Sequence, residues 1–174
     1  MAQRRGHRTA GPLRTRPTLA GGLFLAVTLL VGVAAVRSAA PLLVAVFGAL
    51  FGGLHLSLLW ARRGVAAVDV RRNVPARAWQ NQTVYLGYDL RNLRRRHCFG
   101  LRVDERAAGG IQSAGGFCLY LGPRGAFRAG ARFTAARRGR VELARLRLGS
   151  QFPFALVTIT RDFHQPAELI VWPA

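Results

Sequence analysis

The side chains that most often carry catalysis are few and scattered in this sequence. The four histidines lie in four unrelated segments: His7, His55, His97 and His164. This spacing is not typical of a zinc site. Asp104 and Glu105 are adjacent, so on a strand they face opposite sides and cannot form a paired-carboxylate site. Since nucleophile-elbow and phosphate-loop motifs are also missing, the sequence predicts a protein that is not an enzyme, with no metal or cofactor.

Arginine is the one abundant charged side chain. It supplies all 26 basic residues, and the formal net charge is +19. A basic side chain near an anionic leaflet contributes about 1 kcal/mol. We therefore treat two clusters as candidate contacts with lipid or an acidic partner: Arg62, Arg63, Arg71, Arg72, Arg94, Arg95 and Arg96. The alternative is that they reflect codon bias and membrane topology alone. No recognised motif or aromatic stacking pattern supports nucleic-acid binding.

Two uncharged apolar stretches precede the rest of the chain, on either side of Arg37. Each reaches the roughly 20 residues that a helix needs to cross a bilayer. We expect a transmembrane helical hairpin over residues 17–61, with helices at about 17–36 and 41–61 and a turn at Arg37–Pro41. A cleaved signal peptide is the competing interpretation of the first stretch, because residues 38–40 are small.

The second stretch contains two features of its own. Gly48 and Gly52 form a small-residue step that could pack against the first helix or another subunit, unless the spacing arises by chance. His55 is a polar group within the stretch, and such groups are often functional. It also lies close enough to Arg62 to face the membrane surface instead.

Basic residues flank the hairpin on both outer sides, whereas the turn carries only Arg37. The positive-inside rule then predicts a multi-pass protein of the bacterial inner membrane with both termini cytoplasmic. Residues 1–16 read as a basic, disordered N-terminus. A cytoplasmic location also favours reduced, buried thiols at Cys98 and Cys118 over a disulfide between them.

Residues 65–174 change to period-two patterning, as in the run Val84, Leu86, Tyr88 and Leu90. Short alternating runs separated by Gly, Pro and Asn predict an all-β antiparallel sandwich, immunoglobulin-like, of seven or eight strands. The apolar parity switches between Leu143 and Leu146, which predicts a β-bulge near residues 144–145.

Three segments in this order resemble the N-terminal half of the bacterial domain-of-unknown-function 58 family. Those proteins typically show R-G-x-y-x-l, P-F-G-L and l-V-y-P segments. The matching residues here are Arg138 and Gly139, then Pro153, Phe154 and Leu156, then Val171 and Pro173. Ala155 and Trp172 depart from the usual Gly and Tyr, while Asn92 resembles the Asn that ends an early strand in the family.

The resemblance implies a membrane protein that faces the cytoplasm and works with a MoxR-type AAA ATPase. Family members usually continue past the third segment, so we expect this chain to be a short form or a truncated gene. We expect a non-enzymatic adaptor whose partners are anionic inner-leaflet lipids, such an ATPase and other membrane subunits. Two other functions remain open: an envelope-facing adhesion or binding module, and an accessory subunit of a larger membrane enzyme complex.

Overall fold

A computed structural model describes residues 9–38, 40–75, 78–107, 115–134 and 138–173. Two helices come early in the chain, α1 (Leu19–Ser38) and α2 (Pro41–Ala66). Pro41 occupies the first turn of α2, where its missing N–H leaves no hydrogen bond unmade. The helices contact each other, and a Cβ added to Gly32 of α1 would come within 2.8 Å of the Phe47 ring.

The predicted pair of helices is confirmed, with different bounds. Arg37 lies in the last turn of α1 rather than in the turn between the helices. α2 continues past the predicted end at residue 61, because Ala61 and Val65 are buried in the core of the β-domain. The second helix is therefore partly a structural element of that domain.

The described residues contain nine strands. They are β1 (Thr9–Pro17), β2 (Val68–Asn73), β3 (Ala78–Trp79), β4 (Thr83–Asn92), β5 (Cys98–Ala107), β6 (Gly116–Leu121), β7 (Ala126–Thr134), β8 (Gly139–Ser150) and β9 (Val157–Trp172). One sheet has the order β1-β9-β8-β5-β6, with the short β3 paired parallel to the end of β9. The other has the order β2-β4-β7. Every pairing except that of β3 is antiparallel, so the predicted sandwich-like arrangement of antiparallel strands is confirmed.

Strand β1 corrects one expectation. The sequence predicted a disordered segment through residue 16, but residues 9–17 pair with β9, placing Thr15 opposite Ile159. The pairing gives the backbone of this Arg-, Gly- and Pro-containing segment hydrogen-bond partners that its own composition does not suggest. Residues 1–8 of the predicted disordered segment, and Ala174 at the predicted end of the β-domain, lie outside the described residues.

The core lies between the two sheets and follows the alternation seen in the sequence. Leu86, Tyr88 and Leu90 of β4 are buried, and they share a core with residues such as Leu101 of β5 and Leu148 of β8. The register of β8 against β9 shifts between Leu143 and Arg145, which confirms the predicted bulge.

Candidate functional site

One end of the sandwich carries both helices. β1 is followed by α1, and α2 by β2. The pairings bring three loops to this end, because Pro17 lies opposite Val157, Val68 opposite Asn92, and Cys98 opposite Leu121. The loops span residues 93–97, 122–125 and 151–156. We call this region, with the last two turns of α2, the helix-proximal end.

Asn92 organises two of these loops. Its side chain is buried, and its Nδ2 donates to the backbone oxygens of Arg96 (2.6 Å) and Gly122 (2.8 Å). Its Oδ1 accepts from the Arg94 backbone N–H at 3.0 Å. The Arg124 N–H in turn donates to the Arg94 oxygen at 2.9 Å. One buried amide therefore fixes the backbone of the loop at residues 93–97. We call this loop, which carries Arg94, Arg95 and Arg96, the basic loop.

Six exposed arginines lie at the helix-proximal end: Arg62, Arg63, Arg94, Arg95, Arg96 and Arg124. The three loops contain no Asp or Glu. Sequence reasoning found the first five but missed Arg124, because only the pairings of β6 with β5 and of β7 with β4 place residues 122–125 beside the loop at residues 93–97. The fold thus joins two sequence clusters and one isolated arginine into a single positive surface.

Arg71 and Arg72 lie on β2, away from this surface. The Arg71 side chain is exposed, with its Nε 3.9 Å from Asp69 Oδ2. Arg72 corrects the expectation of a lipid or surface contact, because its side chain is only 2% exposed. The same parity that buries Val68 and Val70 directs Arg72 into the core.

Inside the core, Arg72 bridges the two sheets through a bidentate ion pair with Glu105. Its Nε donates to Glu105 Oε2 at 3.0 Å, and Nη2 donates to Oε1. Nη1 donates to the backbone oxygens of Leu143 (2.9 Å) and Gln165 (2.5 Å). The Tyr88 hydroxyl donates to Glu105 Oε2 at 3.1 Å. The guanidinium and the carboxylate therefore both have hydrogen-bond partners despite their burial.

Burial sets the protonation of this network. It raises the pKa of the Glu105 carboxyl, and the hydrogen bonds from Arg72 and Tyr88 oppose that rise. Burial, reinforced by the neighbouring Glu105 charge, raises the pKa of the Tyr88 hydroxyl above its ordinary range. Asp104 lies on the opposite face of β5, where it accepts from Arg102 Nε at 2.9 Å. The adjacent acids thus serve two separate ion pairs, as their opposite strand faces require.

A joint at the start of α1 ties the helices to the loop at residues 151–156. The Thr18 hydroxyl caps α1 by accepting from the Gly21 N–H at 2.9 Å. Its single proton is shared between the backbone oxygens of Ala155 (2.7 Å) and Leu156 (3.0 Å). A Cβ on Gly21 would lie 1.8 Å from the Leu156 oxygen, so no side chain fits there. The joint is therefore a close backbone contact.

The residues of the three family-like segments fall at both ends of the sandwich. Pro153, Phe154 and Leu156 belong to the loop at the α1 joint. Gly139 and Val171 pair with each other where β8 begins and β9 ends, and Arg138 and Pro173 flank them. These segments thus lie at the ends of β8 and β9 and do not converge on one site.

Gly48 and Gly52 do not mediate packing between the two helices. Nothing lies within 4 Å of a Cβ added at either glycine, and α1 meets α2 through Gly32 and Phe47 instead. The other half of that expectation, contact with another subunit, remains a prediction. The exposed His55 ring packs on Phe51 with 4.4 Å between ring centroids.

Both cysteines are free thiols buried in the core, as predicted. Burial raises the pKa of both thiols, which keeps them protonated and unreactive. Across the described ranges, no group of three or more His, Cys, Asp or Glu side chains could hold a metal ion.

Comparison with known proteins adds little to this geometry. No family of known proteins matches the chain, and no curated protein does. Among solved structures, the chain is similar to the solution NMR structure of a CARDB domain from Pyrococcus furiosus. That likeness has 13% sequence identity and a TM-score of 0.42, and it covers 60% of this chain and 94% of that domain.

Proposed function

We propose that this protein is a bacterial inner-membrane adaptor: a helical hairpin that anchors an immunoglobulin-like β-sandwich at the cytoplasmic face. The sandwich presents its loops and sheet edges to a protein partner, and the chain performs no reaction itself. The observation that carries the proposal is the six-arginine surface, free of carboxylates in its three loops, at the end where both helices leave the sandwich.

The exposure of the helices supports insertion. The most apolar stretches of the two helices are only 17% and 6% buried, so these stretches lie outside the core of the sandwich. Large side chains such as Leu19, Val36 and Leu42 are at least three-quarters exposed. Contiguous apolar surface on this scale exceeds what a soluble monomer exposes. A bilayer covers it without any further protein.

Strand pairing supports a hairpin with both ends on one side. β1 comes before α1 and β2 follows α2, yet both strands belong to the same sandwich. If the helices span the membrane, they must therefore cross it once in each direction. This argument is independent of the positive-inside rule, which then supports a cytoplasmic sandwich because the arginines cluster at the helix-proximal end.

The partner is proposed from the resemblance to the domain-of-unknown-function 58 family: a MoxR-type AAA ATPase, with other membrane subunits. Anionic lipids of the inner leaflet are the second class of partner, and they meet the helix-proximal arginines. The outer face of the sheet of β2, β4 and β7 and the exposed far end of the sandwich leave room for a protein to bind without displacing lipid.

Cysteine accessibility tests the orientation. The native thiols are buried, so the parent chain gives the background. Ser38→Cys reports the hairpin turn, and Tyr85→Cys reports an exposed position on β4. With a membrane-impermeant maleimide, we expect residue 38 to react in intact spheroplasts and residue 85 only after permeabilisation. The reverse pattern would contradict the cytoplasmic orientation and favour the envelope module. Recovery in the soluble fraction would contradict the anchor.

Crosslinking and gentle solubilisation test the adaptor role. A photoreactive residue at Tyr85 or at Thr134, both exposed on the sheet of β2, β4 and β7, should crosslink the native ATPase and allow its co-purification. A matched photoreactive residue at Leu30, within α1, serves as the lipid-facing control. Repeated recovery of the chain alone from both soluble-domain positions would contradict the adaptor role while leaving the anchor intact.

A further inference from the structure

A row of contacting aromatic rings runs from α2 across the outer face of the larger sheet. Trp60 of α2 meets Phe152 with 6.1 Å between ring centroids, and Phe152 stacks on Phe99 of β5 at 4.8 Å. Phe99 meets Tyr120 of β6 at 5.4 Å. With the neighbouring side chains of β6 these residues form what we call the outer patch: Trp60, Phe99, Phe117, Leu119, Tyr120 and Phe152.

The outer patch is not covered by any described part of the chain. Leu119 is 71% exposed and Phe117 is 59% exposed, although both are large and apolar. They lie on β6, the last strand of its sheet. An exposed apolar surface that continues from one element to the next indicates an interaction site rather than scattered surface residues.

The position of Trp60 indicates what covers the patch. The helix from Pro41 to Trp60 rises about 30 Å, which is about the thickness of the hydrocarbon core. Trp60 is therefore placed at the level where α2 leaves the bilayer, and Arg62 and Arg63 follow it. Trp and Tyr favour this level, because their rings are apolar and their tips are polar. The Tyr120 hydroxyl is 2.8 Å from His97 Nδ1, so the other end of the row also combines an apolar ring with polar groups.

The distribution of charge also indicates that a bilayer surface covers the outer patch. His97 ends the basic loop of Arg94, Arg95 and Arg96, so the row of rings stretches from the arginines after α2 to those of the β4–β5 loop. Aromatic rings bordered by arginines match the headgroup zone of an anionic bilayer, where both chemistries are met within a few ångströms.

We propose that the outer patch lies in the headgroup region of the bilayer, so that the sandwich rests on the membrane along its β5–β6 edge. The inference rests on the proposed function, since it requires α2 to span the membrane. It goes beyond that function because it fixes the tilt of the sandwich. The face of β2, β4 and β7 then remains free for a protein partner.

Depth-dependent quenching tests the proposal on the full chain in vesicles of phosphatidylcholine and phosphatidylglycerol. Trp79 and Trp172 are replaced by Phe, which leaves Trp60 as the anchor probe. In a background that also carries Trp60→Phe, Leu119→Trp reports the outer patch. Tyr85→Trp, exposed on the opposite sheet, is the matched control. Lipids brominated near the headgroup should quench residue 119 and residue 60, with little loss of fluorescence at residue 85.

The outcomes separate the two proposals. If residue 60 is quenched and residue 119 is not, the proposed anchor stands and the proposed position of the outer patch in the headgroups is wrong. If residue 60 escapes quenching, the anchor itself is wrong. Emission from residue 119 that is blue-shifted without responding to bromine would mean that protein covers the patch, which also overturns the proposal. As a second variant, Leu119→Glu in the Trp60-only chain should leave quenching at residue 60 unchanged but raise tryptic cleavage at the basic loop.

Discussion

Arg72 of β2 and Glu105 of β5 join the two sheets through the middle of the core, with side chains 2% and 0% exposed. Neither could be buried alone, because an unpaired charge in a low-dielectric interior is very costly. The pair is completed by the Tyr88 hydroxyl and by two backbone oxygens. The ion pair therefore sets the alignment of the two sheets, in addition to contributing to the attraction between them.

Removing one member of this pair should destabilise the sandwich strongly. We expect Arg72→Met to lower the free energy of unfolding by about 3–5 kcal/mol, because Glu105 is left buried without its ion-pair partner. Arg71→Met is the matched control, since the Arg71 side chain is exposed and ion pairs at the surface contribute about 1 kcal/mol or less. Denaturant unfolding in detergent, followed by tryptophan fluorescence, measures both. Equal losses in the two variants would contradict the role of Arg72.

Replacing both partners together should cost less than the sum of the single changes. In Arg72→Met with Glu105→Leu, no charge is left unpaired, and apolar side chains fill similar volume. The same unfolding measurement on Glu105→Leu alone completes the cycle. Additive losses would mean that the two side chains act independently, contrary to their bidentate contact.

The raised pKa of Tyr88 predicts loss of stability at alkaline pH. In the unfolded chain a tyrosine loses its proton near pH 10, whereas buried Tyr88 keeps its proton. Its contribution is therefore fully present below about pH 10 and is lost as the pH rises further. Stability measured between about pH 8 and pH 11 should fall less steeply in Tyr88→Phe than in the parent. Parallel curves of unfolding free energy against pH in the two proteins would contradict the prediction, even if the lost hydrogen bond shifts one curve below the other.

The joint at Gly21 should tolerate no side chain. Gly21→Ala places a Cβ against the Leu156 backbone oxygen, which cannot rotate away, so we expect a loss of about 1–3 kcal/mol. Gly22→Ala is the control, because nothing lies within 4 Å of its added Cβ. Thermal unfolding of the two variants in the same detergent compares them. A Gly21→Ala variant as stable as Gly22→Ala would show that α1 is not held against the loop.

The arginines of the basic loop should be shielded by anionic lipid. Three arginines at about 1 kcal/mol each would slow tryptic cleavage after Arg94, Arg95 and Arg96 in nanodiscs that contain phosphatidylglycerol. Cleavage after Arg140, at the opposite end of the sandwich, is the internal control. High salt should remove the difference, because it screens exposed charges. Equal protection at both ends, or none at either, would contradict lipid contact at the helix-proximal end.

Local patterning accounts for much of the fold. The alternation of Val84, Leu86, Tyr88 and Leu90 predicted which face of β4 is buried, and the parity switch after Leu143 predicted the bulge. Two apolar runs predicted two helices. Each of these features depends on neighbouring residues in the sequence, so it can be predicted without knowledge of tertiary contacts.

Other features depend on partners far along the chain. Strand β1 needs β9, about 150 residues away, to satisfy its backbone. Arg72 did carry a usable signal, since it shares the parity of Val68 and Val70, and Glu105 shares that of Leu101 and Val103. Two opposite charges on inward-facing positions of different strands predict a buried pair. The outer patch carried no such signal, because its rings come from four separate segments.

The pairing of β1 with β9 also sets an order on assembly. Of the described strands, β1 is translated before the others and its neighbour β9 after them, so β1 must wait until the strands between them are made. If the two helices span the bilayer as proposed, they can insert during that wait and hold β1 beside the growing sheet. On that proposal the helical hairpin would act as an assembly tether as well as an anchor, and the pairing of β1 with β9 would complete that edge of the larger sheet.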